Sequence, residues 1–369
     1  MMRFTRRWLV LFLCVLVLAG SMSPDAAKSA SQPEQPPVTT AAPRSLFVSG
    51  HSLTDRPMLD KLAEMAAASG RPILWNMQNI GGSSLERRSM GTDPARPWSG
   101  FADGTDRSGG SVDVLVEFRR PSVGDSAYDL LLVTELHSLL DTVMRQGTVR
   151  YLAEYKRRFL EASSAGSMWF MAPWLDISDK EDPSDWIAYE RLALPVWRCA
   201  VQAAGGSAAS GGESASGIGF IPASLALAEL VDHLVSAPRQ GFENMTPGDV
   251  VRALFTDSVH PTELGEAFVA LIVLATIDGL DAQTARMPAG VSEAQAQTLK
   301  IFAADFLSRY RAAQPFEACS GGVAPSFAWA YAGYANKIYR ADFSWPRAAI
   351  QRMRDTARFG WNLRNAFSD

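Results

Sequence analysis

Residues 45–55 read SLFVSGHSLTD. An apolar run ends at Gly50, a polar turn follows through His51 and Ser52, and Pro57 opens an amphipathic stretch. A short, near-continuous apolar run cut by glycine and followed by helical spacing predicts a strand covered on both faces that feeds a helix. A serine at such a turn has two readings. It caps the coming helix, or it is a nucleophile at the strand-end crevice where open α/β sheets carry their sites.

The same pattern recurs. PILWNM (72–77), DLLLVTE (129–135), SMWFMAP (167–173) and IGFIPA (218–223) read as buried strands. Helical stretches are expected at 56–70, 139–162, 186–204 and 225–235. This βαβα rhythm predicts an α/β fold with a central parallel sheet of about five strands and helices on both faces. Residues 90–124, rich in Gly, Ser, Asp and Arg, form a long insertion expected at the site rim. From residue 287 the chain reads as a C-terminal helical extension, beginning with Ser292–Ala312 and continuing through FAWAYAGYANKIY (327–339). The aromatic residues of this tail are expected to serve packing.

At the N-terminus Arg3, Arg6 and Arg7 precede WLVLFLCVLVLAG (8–20) and then small residues. That order predicts a secretory signal peptide over 1–23, too short for a comfortable membrane span, with a retained anchor as the alternative. Residues 24–43, rich in Pro, Ala, Ser and Gln, read as a flexible linker. The expected layout is thus signal, linker, an α/β domain over 44–286 and the extension over 287–369. The protein is expected to be exported, periplasmic or secreted, with no stable membrane span after cleavage. Cys14 leaves with the signal; Cys199 and Cys319 are then a candidate disulfide, the alternative being two unpaired thiols.

The 369 residues carry a formal net charge of -4, which lacks the basic footprint of a nucleic-acid partner. Four histidines, with no His-Glu-x-x-His and no Cys-x-x-Cys, predict neither a metal site nor a cofactor.

The second chemical signal is FTDSVHP (255–261), ahead of an apolar helical stripe over Thr262–Leu280. Asp257 stands three residues before His260, a spacing that lets the carboxylate hold one ring nitrogen while the other faces outward as a general base. Ser52, Asp257 and His260 supply nucleophile, orienting acid and base in that chain order. The capping readings remain for each piece alone, and His51 reads as a solvent-facing loop histidine.

GHSLTD, QNIGGSSL (78–85) and DSVHP together resemble the blocks of the SGNH, or GDSL-type, hydrolase family of esterases and lipases, over roughly residues 46–279. The resemblance implies a flavodoxin-like three-layer α/β/α sandwich and an acyl-serine intermediate. It implies Ser52 as nucleophile, His260 as base, Asp257 as orienter, and the amides of Ser52 and Gly82 around the oxyanion. One block departs. The family's Gly-x-Asn-Asp is replaced by VTELHSLL (133–140), and Glu135 falls about where the asparagine belongs. Glu135 points away, is protonated, or binds a substrate hydroxyl; His137 or Asn79 is a candidate for the missing donor. The expected function is an exported serine esterase acting on an acyl ester, on a saccharide or envelope polymer or on a small molecule. The alternatives are an inactive envelope binding or scaffold protein and an acyltransferase. Trp98, Phe101, Trp169 and Trp174 are candidates for an aromatic cleft.

Overall fold

The computed structural model describes residues 41–124, 126–205, 217–313, 324–362 and 367. The expected signal peptide, most of the linker, and Cys319 lie outside the described residues; Cys199 is disulfide-bonded. Residues Thr39–Asp369 make a compact unit by themselves, which holds the whole sheet and core.

Five parallel strands form the sheet: β1 Arg44–Gly50, β2 Ile73–Asn79, β3 Leu130–Thr134, β4 Ser167–Met171 and β5 Ile218–Ile221, in the order β2-β1-β3-β4-β5. This is the flavodoxin-like strand order, and each strand falls on one of the apolar runs. The connection from β1 runs one way to β2, and from β3 onward the chain runs the other way. The ends of β1 and β3 therefore splay apart and leave a crevice between them. β2 extends two residues past the apolar run, because Asn79 exchanges backbone hydrogen bonds with Thr105 of the insertion (both 3.0 Å).

Twelve helices are described: α1 Arg56–Ala68, α2 Leu85–Met90, α3 Val114–Arg119, α4 Leu139–Arg145, α5 Thr148–Ala162, α6 Ser184–Gly205, α7 Ala223–Ser236, α8 Pro247–Leu254, α9 Glu263–Ile277, α10 Glu293–Ala312, α11 Pro325–Tyr339 and α12 Trp345–Asn362. α1 packs on α9, and α5 on α6; right-handed crossovers put these pairs on opposite faces of the sheet. α1 is capped by Asp55, whose side chain accepts from the Arg56 amide, and it buries Met58, Leu59, Leu62, Met65 and Ala66 on one face. In α9 every residue from Ala267 to Ala275 is buried, so this helix is core rather than cover.

The single helix expected over 139–162 is two helices. Gly147 stands between α4 and α5 with φ +60°, a left-handed conformation that ends one helix and lets the next leave at a new angle. The insertion is not structureless: it carries α3 and a short 3₁₀ turn at Ser99–Ala102. Pro261 does not open α9; it pairs with Phe255 in an isolated bridge, and Thr262 is the cap. The tail is helical as expected. α10 packs on α9 and α7, and α11 packs between α6 and α12.

Candidate active site

β1 ends at Gly50 because no side chain fits there. A Cβ would stand 1.8 Å from Thr54 Oγ1, which donates back to the His51 carbonyl. The chain then makes a 3₁₀ turn, Ser52–Thr54, before Asp55 caps α1. Ser52 caps neither element. Its Oγ lies 2.9 Å from His260 Nε2, and the other ring nitrogen, Nδ1, lies 2.6 Å from Asp257 Oδ2. Serine, histidine and aspartate thus form one hydrogen-bonded chain across 208 residues of sequence.

The acid–base half is built locally. Asp257 Oδ1 accepts the amides of Val259 (2.8 Å) and His260 (2.7 Å), and the Thr256 amide donates to the His260 carbonyl (2.8 Å). Partial burial pushes the Asp257 carboxyl up. The hydrogen bonds from His260 and the Val259 amide outweigh that and bring it to about 2, so the group is ionised at neutral pH. The loop is braced from the end of β4: Trp174 Nε1 donates to the Val259 carbonyl (2.7 Å), and the Ile177 amide to the Ser258 carbonyl (2.8 Å). Ser258 Oγ donates to Asp176 Oδ1 at 2.8 Å.

His51 corrects the sequence reading. It is buried, not solvent-facing. Its Nε2 lies 2.9 Å from the Glu135 carbonyl and its Nδ1 accepts the Leu53 amide at 3.4 Å. One neutral tautomer satisfies both, and burial, helped by the charge of Arg88, pushes its pKa down to about 3. His51 therefore ties the nucleophile turn to the end of β3.

Glu135 is fully buried and turned into a closed network. Oε1 accepts the amides of Leu85 (2.9 Å) and Leu136 (2.8 Å); Oε2 accepts the Thr148 hydroxyl (2.8 Å). Beneath it lies Arg88, also fully buried. Its guanidinium donates to Ser49 Oγ (3.1 Å), to the Ser83 carbonyl (2.7 Å) and hydroxyl (2.9 Å), and to the Thr134 carbonyl. Burial pushes Glu135 up and Arg88 down, and each charge opposes the shift of the other. Ser49 Oγ further donates to Gln78 Oε1 (2.8 Å) and lies 2.9 Å from the Tyr155 hydroxyl. The carboxylate at position 135 is thus spent on the scaffold.

His137, two residues on, lies 3.3 Å through Nε2 from Asp176 Oδ2. A neutral ring leaves its buried Nδ1 without a protein partner. Burial lowers the His137 pKa against the pull of Asp176, which favours this neutral form. Asn79 ends β2 opposite Gly50 in register, and its buried Oδ1 has no protein partner. Gly82 has φ +61°, is exposed, and a Cβ there would meet nothing within 4 Å.

The four aromatic candidates do not form one cleft. Phe101 and Trp174 are buried; Trp98 stacks on Phe101 (centroids 6.3 Å apart) under Arg158; Trp169 fills the space left by the missing side chain of Gly219. Asp176, Ser258, Arg88 and Tyr155 carry the site without any motif to announce them. Only Ser258 stood inside a quoted block.

No protein-family model and no curated protein sequence matches the chain. Among solved structures, a DUF4886 family protein from Bacteroides uniformis is similar in fold, with a TM-score of 0.51 at 14% identity over 73% of this chain and 96% of that one. The periplasmic domain of a lipopolysaccharide acetyltransferase from Salmonella ser. Paratyphi A matches at a TM-score of 0.34 and 13% identity, over 66% of this chain and 85% of that one.

Proposed function

We propose that the protein is an exported serine esterase that cleaves an acyl ester through an acyl-Ser52 intermediate. The observation that carries this reading is the unbroken chain from Ser52 Oγ through His260 to Asp257, at 2.9 and 2.6 Å. It lies beside the switch point of the sheet, where such folds bind ligands. Ser52 Oγ attacks the ester carbonyl as His260 Nε2 takes its proton. The ionised Asp257 holds the ring and balances the imidazolium. His260 then gives the proton to the departing alkoxide, leaving the acyl-serine. A water, deprotonated by the same nitrogen, attacks the acyl carbon; the carboxylic acid leaves and Ser52 recovers its proton.

The oxyanion needs donors fixed in advance. The amides of Ser52 and Gly82 are the proposed pair. Gly82 suits the task because its left-handed backbone leaves the amide side uncovered by any side chain. Asn79, whose side-chain amide carries N–H groups and which stands opposite Gly50, is the better third donor. The His260 side chain is 43% exposed, so water reaches the base directly, as deacylation by hydrolysis requires.

The test is labelling with a fluorophosphonate probe, followed by mass spectrometry, with Ser52→Ala and His260→Ala alongside. Label on Ser52 that both variants lose, together with turnover of short-chain aryl esters, is expected. A folded wild-type protein that takes no label would rule the reading out and leave a binding or scaffold role.

A further inference from the structure

The last helix is inverted. The side of α12 that faces the protein is mostly polar: Asp355 pairs with Arg340 at 2.8 Å and accepts from Gln351 at 3.0 Å, and the Arg352 guanidinium lies 3.8 Å from the Trp329 ring centroid. Among the described side chains of α12, Phe359, edge-on to Tyr331 at 5.5 Å, anchors the helix by packing. The outer side carries the apolar residues. Trp345 is 82% exposed, Met353 56% and Ile350 46%. Pro346, Ile350, Met353 and Ala357, all exposed, recur at steps of four and three, so they make one stripe along the helix. Arg347, Arg354 and Arg358, also exposed, recur at seven and four and make a second stripe beside it. A shallow groove runs along the junction, lined by Arg340, Phe343, Pro346, Arg347, Ile350 and Arg354. In a chain of net charge -4, this cationic, apolar face stands out locally.

We propose that this face of α12 docks on the surface of an anionic lipid bilayer. Proline, isoleucine and methionine on one stripe, with arginines on the next and Trp345 exposed at the helix start, match a helix lying in the interface plane, apolar side among the acyl chains and arginines on the phosphates. Charge decides against the other occupants. A two-fold contact with a second copy would set arginine stripes against each other. Nucleic acid would satisfy the arginines and leave the Ile350–Met353 stripe in water. Such a helix lies on a membrane and does not span one; none of the described helices is long and apolar enough to cross. α12 packs on α11, where the Tyr334 hydroxyl donates to the Asp176 carbonyl (2.7 Å) and accepts the Ser178 amide (3.1 Å). Docking through α12 therefore fixes how the loop that braces the His260 segment is oriented to the bilayer.

The test is flotation of the compact unit Thr39–Asp369 with phosphatidylglycerol–phosphatidylcholine vesicles, beside vesicles of phosphatidylcholine alone. Binding to the anionic vesicles is expected. Ile350→Asp with Met353→Asp should weaken it at least tenfold, and Arg347→Gln, Arg354→Gln and Arg358→Gln about fivefold each at low salt. All five side chains are exposed, so the variants should unfold at the wild-type temperature and still take the fluorophosphonate label. Equal partition of wild type and variants, no preference for anionic vesicles, or no binding would overturn the proposal. So would a doubling of mass in lipid-free light scattering that the Asp variants abolish, which would assign the face to a second copy.

Discussion

The two halves of the candidate site are held by opposite means. The nucleophile half rests on buried polar groups drawn from distant parts of the chain: His51 on the Glu135 carbonyl, Glu135 on Leu85 and Thr148, and Arg88 on Ser49, Ser83 and Thr134. The base half is exposed and nearly self-sufficient, with Asp257 and His260 joined within four residues and the Asp257 side chain 56% exposed. Under the proposed function, the difference follows from what each half would have to do. A nucleophile and its oxyanion amides need a fixed backbone, and a buried network fixes it because every unmade hydrogen bond there is costly. A base must meet water and substrate, so its precision comes from short-range hydrogen bonds that burial is not needed to enforce.

The sharpest way to break this comparison is to cut one carboxylate in each half. Asp257→Asn should lower kcat about 10⁴-fold while shifting the unfolding temperature by only a few degrees. Glu135→Ala should instead cost about 3–5 kcal/mol of stability, because Arg88 is left buried without its counter-charge, and turnover should fall with it as the Ser52 turn loses its support. Ester turnover and thermal unfolding of the two variants, measured side by side, check this. If Glu135→Ala stays as stable as wild type, the buried network is not what holds the nucleophile turn.

A second test uses pH. His51 has a folded pKa of about 3 against 6.5 unfolded, so the unfolded chain binds the extra proton in that window. Its contribution is complete above about pH 6.5 and is lost as pH falls toward 3, by at most about 1.4 kcal/mol per pH unit. On the base side, Glu190 is buried in α6 beneath the β4 loop, where its Oε1 accepts the Leu175 amide at 2.7 Å, and burial raises it from 4.5 to about 8. There the folded chain binds the extra proton, so its contribution is complete below 4.5 and is lost as pH rises toward 8. Denaturant unfolding from pH 3 to 8 should therefore show two opposite limbs. His51→Asn should shrink the acid limb, leaving the part due to lowered carboxylates such as Asp257, and Glu190→Gln the alkaline one, each read as a difference from wild type.

The smallest effects are expected in the brace between β4 and the base loop. Ser258→Ala releases one oxygen of Asp176, and Tyr334→Phe releases the Asp176 carbonyl and the Ser178 amide. Each should cost about 1 kcal/mol of stability and a few-fold in kcat, with KM nearly unchanged. A large KM effect instead would mean that this brace shapes the substrate pocket.

Most of the fold was legible because its strands are buried on both faces and so read as plain apolar runs between glycines and polar turns. The Ser52–His260 pairing was legible for a related reason: the turn after Gly50 and the Asp257–His260 spacing are local features, whereas the strand order was expected only through the family resemblance. What escaped reading was non-local. Nothing near Arg88 or His51 in sequence says that these polar side chains are buried, since their partners at Thr134 and Glu135 lie 46 and 84 residues away. For Glu135 the sequence left three readings open, and its partners, at the starts of α2 and α5, agree with the one in which it points away. The break at Gly147 was missed because apolar spacing continues across it. The four aromatics were grouped as a cleft by type, while packing scattered them.

Thr256 to His260 closes on itself, with the Thr256 amide on the His260 carbonyl and Asp257 on the amides inside the ring. That makes it a cassette. In the evolution of such chains its five-residue length should be rigid while its distance from the nucleophile is free, and loops could lengthen on either flank without disturbing the acid–base pair. The serine has no such freedom, and a lineage that lost catalysis could drop Ser52 while its buried surroundings stayed on as scaffold.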